Sequence, residues 1–192
     1  MERFVIVPDE KLEPLMLLLK AKLPNIAAEI RAEHLADLID RVARRVLRGA
    51  AERPGVDEIV VWGVSGNGFL AAWSSLAPET EVVGVVTASA EEGLIARVFA
   101  SSRSEAQAAP GLGAAHWTNL EQRRGRMIAG MAATPLLLFG KPVAVLSLVT
   151  YDKEGAAEPG SFPGTVPATE AAGLLVRLIE DRLVRSSLGL EP

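Results

Sequence analysis

Near the N-terminus Leu12, Leu15, Met16, Leu17, Leu18 and Leu19 crowd all sides of a segment that starts acidic at Asp9 and turns basic at Lys20 and Lys22. That charge order suits a helix dipole. A helix apolar all round needs cover on more than one side. It can pack on the chain's own core or join a second chain; periodicity leaves both open. Leu12, Leu15, Met16 and Leu19 are the interface candidates. Pro24 should end this helix. A longer one is expected over 25–52, where Leu35, Leu38, Ile39, Val42 and Val46 form one stripe. Arg41, Arg44, Arg45 and Arg48 then lie on a solvated face with Asp37 and Asp40.

The rhythm changes after residue 57. Residues 59–64 read as a strand, and so do 69–76, where Phe69, Ala71 and Trp73 alternate toward one face. Between them lies GVSGNG (63–68). A phosphate loop would need a helix after the glycines, and usually a lysine with a hydroxyl. Neither follows here. Asn67-Gly68 is a favoured type I′ pair, so the segment reads as a hairpin. Residues 81–88 fit a short strand or a buried loop. Ser89 with Glu92 suits a capping box for a helix over 90–100. Residues 101–126 are polar and rich in Gly, Ser and Arg, a long connection of a kind often tied to function. Two strands follow, 127–139 and 142–151, with Gly140-Lys141 as their turn. A second loop leads to a helix over 168–185, striped by Ala171, Leu174, Leu175, Leu178, Ile179 and Leu183.

Strands joined this briefly must pair antiparallel. With helices at both ends covering one face, the fold class is α+β.

Three stretches carry a resemblance to the GAF domain family. EEGLIARVFASSRSE (91–105) is similar to the family's Gly-Leu-Ile-x-x-Val helix. RMIAGMAATPLLLFGKPVAVLSLVTY (126–151) resembles its paired strands, with a Pro-Leu step before a Gly-basic turn. The final helix matches its C-terminal one. The likeness spans about residues 34–186. It divides the chain into an N-terminal arm and apolar helix (1–30) and a GAF-like domain (31–188). It implies a six-stranded antiparallel sheet with the terminal helices on one face, and a possible small-molecule pocket on the other. It also implies pairing through the end helices, so a homodimer is expected.

Charge and composition narrow the chemistry. The net charge of −4 argues against a nucleic-acid partner. The longest apolar runs are far short of the roughly 20 residues that cross a bilayer. The N-terminus lacks a signal peptide's apolar core, so a cytoplasmic location is expected. The absence of cysteine removes disulfides and thiolate metal sites. It also removes a thioether-linked bilin and the cysteine-dependent methionine sulfoxide reductase chemistry of the family. The Asn-Lys-Phe-Asp-Glu series of its cyclic-nucleotide members is missing too. No cofactor is named by any motif.

His34 reads as an exposed or packing residue. His116 beside Trp117 lies in the long loop. A loop histidine is by default a surface or packing residue, while a Trp in a polar loop has something to cover. Trp73, Arg97, His116 and Trp117 are therefore the candidate ligand-binding residues. Ser101, Ser102, Arg103 and Ser104 could hold an anion, with a solvated helix end as the default. Glu121 and Asp152 show no partner for acid–base work. The expectation is a non-enzymatic regulatory domain that binds a small ligand and passes its output to a partner chain. The alternative is a ligand-free scaffold docking through its terminal helices.

Overall fold

The computed structural model describes residues 9–39, 41–66, 68–76, 82–108, 118–152 and 164–188. Three helices open the chain: α1 (Asp9–Glu29), α2 (Ala32–Leu38) and α3 (Arg41–Ala51). They are followed by β1 (Glu58–Ser65), β2 (Gly68–Ser74), β3 (Thr87–Ser89), α4 (Leu94–Ser101), β4 (Glu105–Ala108), α5 (Thr118–Arg124), β5 (Ile128–Leu138), β6 (Lys141–Tyr151) and α6 (Thr165–Ser187). The strands form one six-stranded sheet in the order β3-β2-β1-β6-β5-β4. Every pairing is antiparallel. The α+β architecture with helices from both ends on one face is thus the one observed.

Two apolar clusters lie on opposite faces of the sheet. On the helix side, Ile59, Val61, Leu146 and Leu148 meet Leu35 and Leu47 of the N-terminal helices and Leu175 and Ile179 of α6. On the other side, here called the cover face, Val60, Trp62, Val145 and Met131 meet Leu94, Ile95 and Val98 of α4 and Leu120 of α5. Period-two alternation along β1 and β6 sends neighbouring residues to opposite cores.

The N-terminal helices depart from expectation. Pro24 does not end α1, which runs through it to Glu29. Its C-terminal half buries Leu23 and Ala27, with Ile30 buried just beyond its end, and that burial outweighs a proline's cost inside a helix, about 3 kcal/mol. The break comes instead at Ile30 and Arg31, where His34 Nδ1 accepts the Arg31 backbone N–H at 3.1 Å. His34 is exposed and closes the start of α2. A second break at Ile39 separates α2 from α3. The buried stripe changes phase across it, so Leu47 and Ala50 are buried while Val46 is only half-buried.

Both hairpins turn one residue earlier than expected. Ser65 pairs with Gly68, which puts Gly66 in the turn; Gly66 has φ +50°, and Asn67 lies outside the described residues. Leu138 pairs with Lys141, making Phe139-Gly140 the loop. Their φ values of 48° and 78° are those a type I′ turn demands at both central positions. Phe139 adopts this conformation with its backbone N–H on Glu180 Oε1 of α6, at 2.6 Å.

The segment expected to be one long polar loop contains two elements. Edge strand β4 pairs with β5, and α5 precedes β5. Ser89 does not cap α4. Its hydroxyl accepts the N–H groups of Glu91 and Glu92 in the bend before it, and α4 begins after Gly93 at φ 97°. On α6, Leu174 of the expected stripe is exposed, while Ala168, Ala171, Ala172, Leu175 and Ile179 are buried. Among the described residues no helix is long and apolar enough to cross a membrane.

Candidate functional site

Glu58 opens β1 and is fully buried. Val60 and Trp62 of the same strand belong to the cover-face cluster, and strand alternation places Glu58 on that face as well. Ser74 at the end of β2 pairs opposite Val60. Tyr151 ends β6 two residues beyond Val149, the partner of Glu58. Three strand ends thus bring a carboxylate and two hydroxyls to one corner.

The fourth member comes from α5. Arg124 Nε donates to Glu58 Oε2 at 3.0 Å and Nη2 donates to Oε1 at 2.7 Å, a two-pronged fit of guanidinium to carboxylate. Nη2 also lies 3.2 Å from Ser74 Oγ. The Ser74 hydroxyl donates to Oε1 and the Tyr151 hydroxyl to Oε2. Each carboxylate oxygen therefore accepts two hydrogen bonds. A buried charge is tolerable only when paired and solvated by such donors.

The cluster shifts the titration of Tyr151 and Arg124. Burial pushes the Tyr151 phenol strongly up, helped by the Glu58 charge and hydrogen bond. Burial alone would lower the Arg124 guanidinium, but the Glu58 hydrogen bond and charge outweigh it and raise it. The sign for stability follows from Tyr151. A phenol held protonated in the fold contributes fully below its unfolded value near 10, and the contribution decays as pH rises past it. Tyr151 is the chain's only tyrosine, so phenolate absorbance reports it alone. The expected result is no phenolate signal through pH 11 while the fold persists, then its appearance together with unfolding. A reversible titration near pH 10 with native circular dichroism would contradict the cluster.

Four residues further along β1, a second polar contact sits in the apolar wall. Trp62, fully buried, donates its indole N–H to Ser147 Oγ at 2.8 Å. Ser147 pairs opposite Val60. Both polar contacts lie on the cover face.

The residues expected at the site are placed elsewhere or not described. Trp73 is buried in the helix-side core. Val61 pairs with Trp73 but Trp62 with Ala71, so Ala72 is an extra residue on β2. This bulge breaks the alternation that would have put Trp73 beside Phe69 and Ala71. Arg97 is half-exposed on α4 and binds Glu105 Oε2 at 3.1 Å and Gln107 Oε1 at 2.8 Å, tying the helix to edge strand β4. His116 and Trp117 lie outside the described residues.

Ser101, which ends α4, and Ser104 beyond it make local contacts. Ser101 accepts the Arg103 N–H, and Ser104 meets Thr134 at 2.6 Å and Thr169 at 3.2 Å. They also sit at a helix C-terminus, whose dipole repels anions. Glu121 accepts the Ile128 N–H at 2.9 Å. Of the interface candidates, Met16 is exposed and Leu15 and Leu19 are half-buried, while the Leu12 side chain lies outside the described ones. Leu17 and Leu18, at 63% and 48% exposure, are the more open neighbours.

Sequence reasoning missed Glu58, Ser74, Arg124 and Tyr151. The available signals were an acid fused directly to the apolar run IVVW and the chain's single tyrosine ending an apolar strand. Among the described residues no group of three His, Asp or Glu could hold a metal ion.

No family model matches the chain, and no curated protein sequence does. Solved structures do. The GAF domain of a phosphoenolpyruvate-protein phosphotransferase from Coxiella burnetii is 15% identical, with 94% of this chain and 99% of that chain covered and a TM-score of 0.55. Free methionine-R-sulfoxide reductase from Neisseria meningitidis, solved with its substrate, is 12% identical, with 98% and 99% covered and a TM-score of 0.54. The NreA protein from Staphylococcus aureus, mutated in its nitrate binding site, is 15% identical, with 71% and 97% covered and a TM-score of 0.53. The chain therefore has the GAF fold. The expectation of a non-enzyme is corrected here. This fold also carries a reductase, so the lack of a familiar catalytic spacing in the sequence excludes no enzymatic activity.

Proposed function

We propose that the chain is a regulatory domain that binds a small polar molecule against the cover face of its sheet, over β1 and β6 and beneath α4 and α5. The observation that carries this reading is the pair of polar clusters on that face, Trp62 with Ser147 and Glu58 with Ser74, Arg124 and Tyr151. An apolar wall with a few convergent polar groups is the make-up of small-molecule sites. The similar structures include one described with a nitrate binding site and one with a bound substrate.

A thermal-shift series of small anions, amino acids and nucleotides tests it. A ligand at 100 times its Kd should add about 2.7 kcal/mol, and Ser147→Ala should weaken it at least about tenfold. Absence of any stabilising compound, together with no co-purifying molecule in native mass spectrometry, would sink the reading.

Output then passes through another chain, either a second copy or a different protein. Met16, Leu17 and Leu18, exposed on the N-terminal half of α1, support this part. Because Leu23 is buried, the clean test is Leu17→Glu with Leu18→Glu rather than removal of the helix. The pair should dissolve the assembly seen by light scattering while circular dichroism stays native. An assembly that persists unchanged would refute this route.

A further inference from the structure

The buried cluster has an uneven construction. Glu58, Ser74 and Tyr151 stand on three strands that pair with one another directly or through β1. Arg124 arrives on α5, a helix of seven residues. A helix that short has no stability of its own in water and depends on its anchors. Of its described side chains only Leu120, at 1% exposure, is fully buried. Its ties to the sheet include Arg124 on Glu58 and Ser74, and Glu121 on the Ile128 N–H. Gly125, at φ 61°, follows immediately, so the helix leads into β5 through a residue free to change its backbone angles.

We infer that α5 is a strap latched over the cover face, with Arg124 as its catch and the Glu58 corner of the sheet as a fixed receptor. Releasing the catch withdraws Leu120 from the cover-face core and bares the wall that contains Trp62 and Ser147. It also leaves Glu58 with two hydroxyl donors and no cation. An incoming guanidinium or ammonium group would complete that receptor in place of Arg124. The latch therefore regulates entry to the site proposed above and rests on that reading. It also favours a ligand with a cationic group.

Hydrogen exchange read by mass spectrometry on the full chain, without ligand, tests the latch. In the wild type, amides of 119–124 should exchange at least about tenfold faster than those of β5 and β6, through an opening below global unfolding. In Arg124→Gln they should lose protection entirely while β5 and β6 remain protected. Arg124→Lys, which keeps the charge without the fork, should fall between. Exchange of α5 in step with the sheet in the wild type overturns the proposal. So does continued protection of α5 in Arg124→Gln, or loss of sheet protection in both variants. None of these outcomes depends on ligand binding, so failure of the latch and failure of the binding reading are separate results.

Discussion

Glu58→Ala is expected to lower stability by about 3–5 kcal/mol in urea denaturation at neutral pH. The loss comes from the partners left behind more than from the bond removed. The Arg124 side chain is 11% exposed. Without Glu58 its guanidinium must either stay buried without that carboxylate or pull α5 away from the sheet. Ser74 and Tyr151 also lose their acceptor. Glu58→Gln keeps the shape and one carbonyl acceptor, so it should cost less than the alanine variant yet still leave the cation unbalanced. Tyr151→Phe removes a single hydrogen bond to a charged group, about 1.5–3 kcal/mol. A double-mutant cycle over Glu58 and Arg124 should give strong coupling. A Glu58→Ala protein within 1 kcal/mol of wild type would show that the four groups do not meet.

Gly63→Ala is expected to cost about 2 kcal/mol, and Gly63→Val about 3 or more, by overpacking. The cause is steric. A Cβ built at Gly63 falls 2.4 Å from Ala32 Cα and 2.8 Å from Ala32 Cβ. Ala32 is buried at the start of α2, so this glycine is where the helix rests on the strand backbone. Adding Ala32→Gly should recover only part of the loss, because the backbone contact persists. Ordinary stability in Gly63→Ala would mean that α2 does not lie on β1.

The glycines at 63–68 show what a sequence can and cannot disclose. The hairpin was legible because no helix, lysine or hydroxyl follows the glycines. Its exact turn was not, because Gly66 and Gly68 flank Asn67 and either position can take a positive φ. Residues 59–64 were legible as a strand, but alternation misplaced Trp73. A bulge is set by pairing with a distant strand and leaves no mark in a local pattern. β4 was hidden because EAQA is short, polar and at an edge. The site was hidden for a related reason. Glu58, Ser74, Arg124 and Tyr151 are up to 93 residues apart, and each alone looks like an ordinary end of an element. Local rules identify the elements, whereas a charge buried between four of them is a tertiary fact.

β1 is apolar on both faces, and its central residues would suit either core. Hydrophobicity therefore says little about how this strand should align with β6, its partner in the middle of the sheet. Slipping by one residue would exchange the two faces and drive the Glu58 carboxylate among the aliphatic side chains beneath the helices. Slipping by two would restore the faces but carry Glu58 away from Tyr151 and Ser74. Each alternative leaves a charge stranded, while the neighbouring Ile, Val and Val would scarcely register the change. The Glu58 carboxylate, together with the Trp62–Ser147 bond and the close approach of Gly63 to Ala32, thus sets the reading frame of the sheet's central pairing.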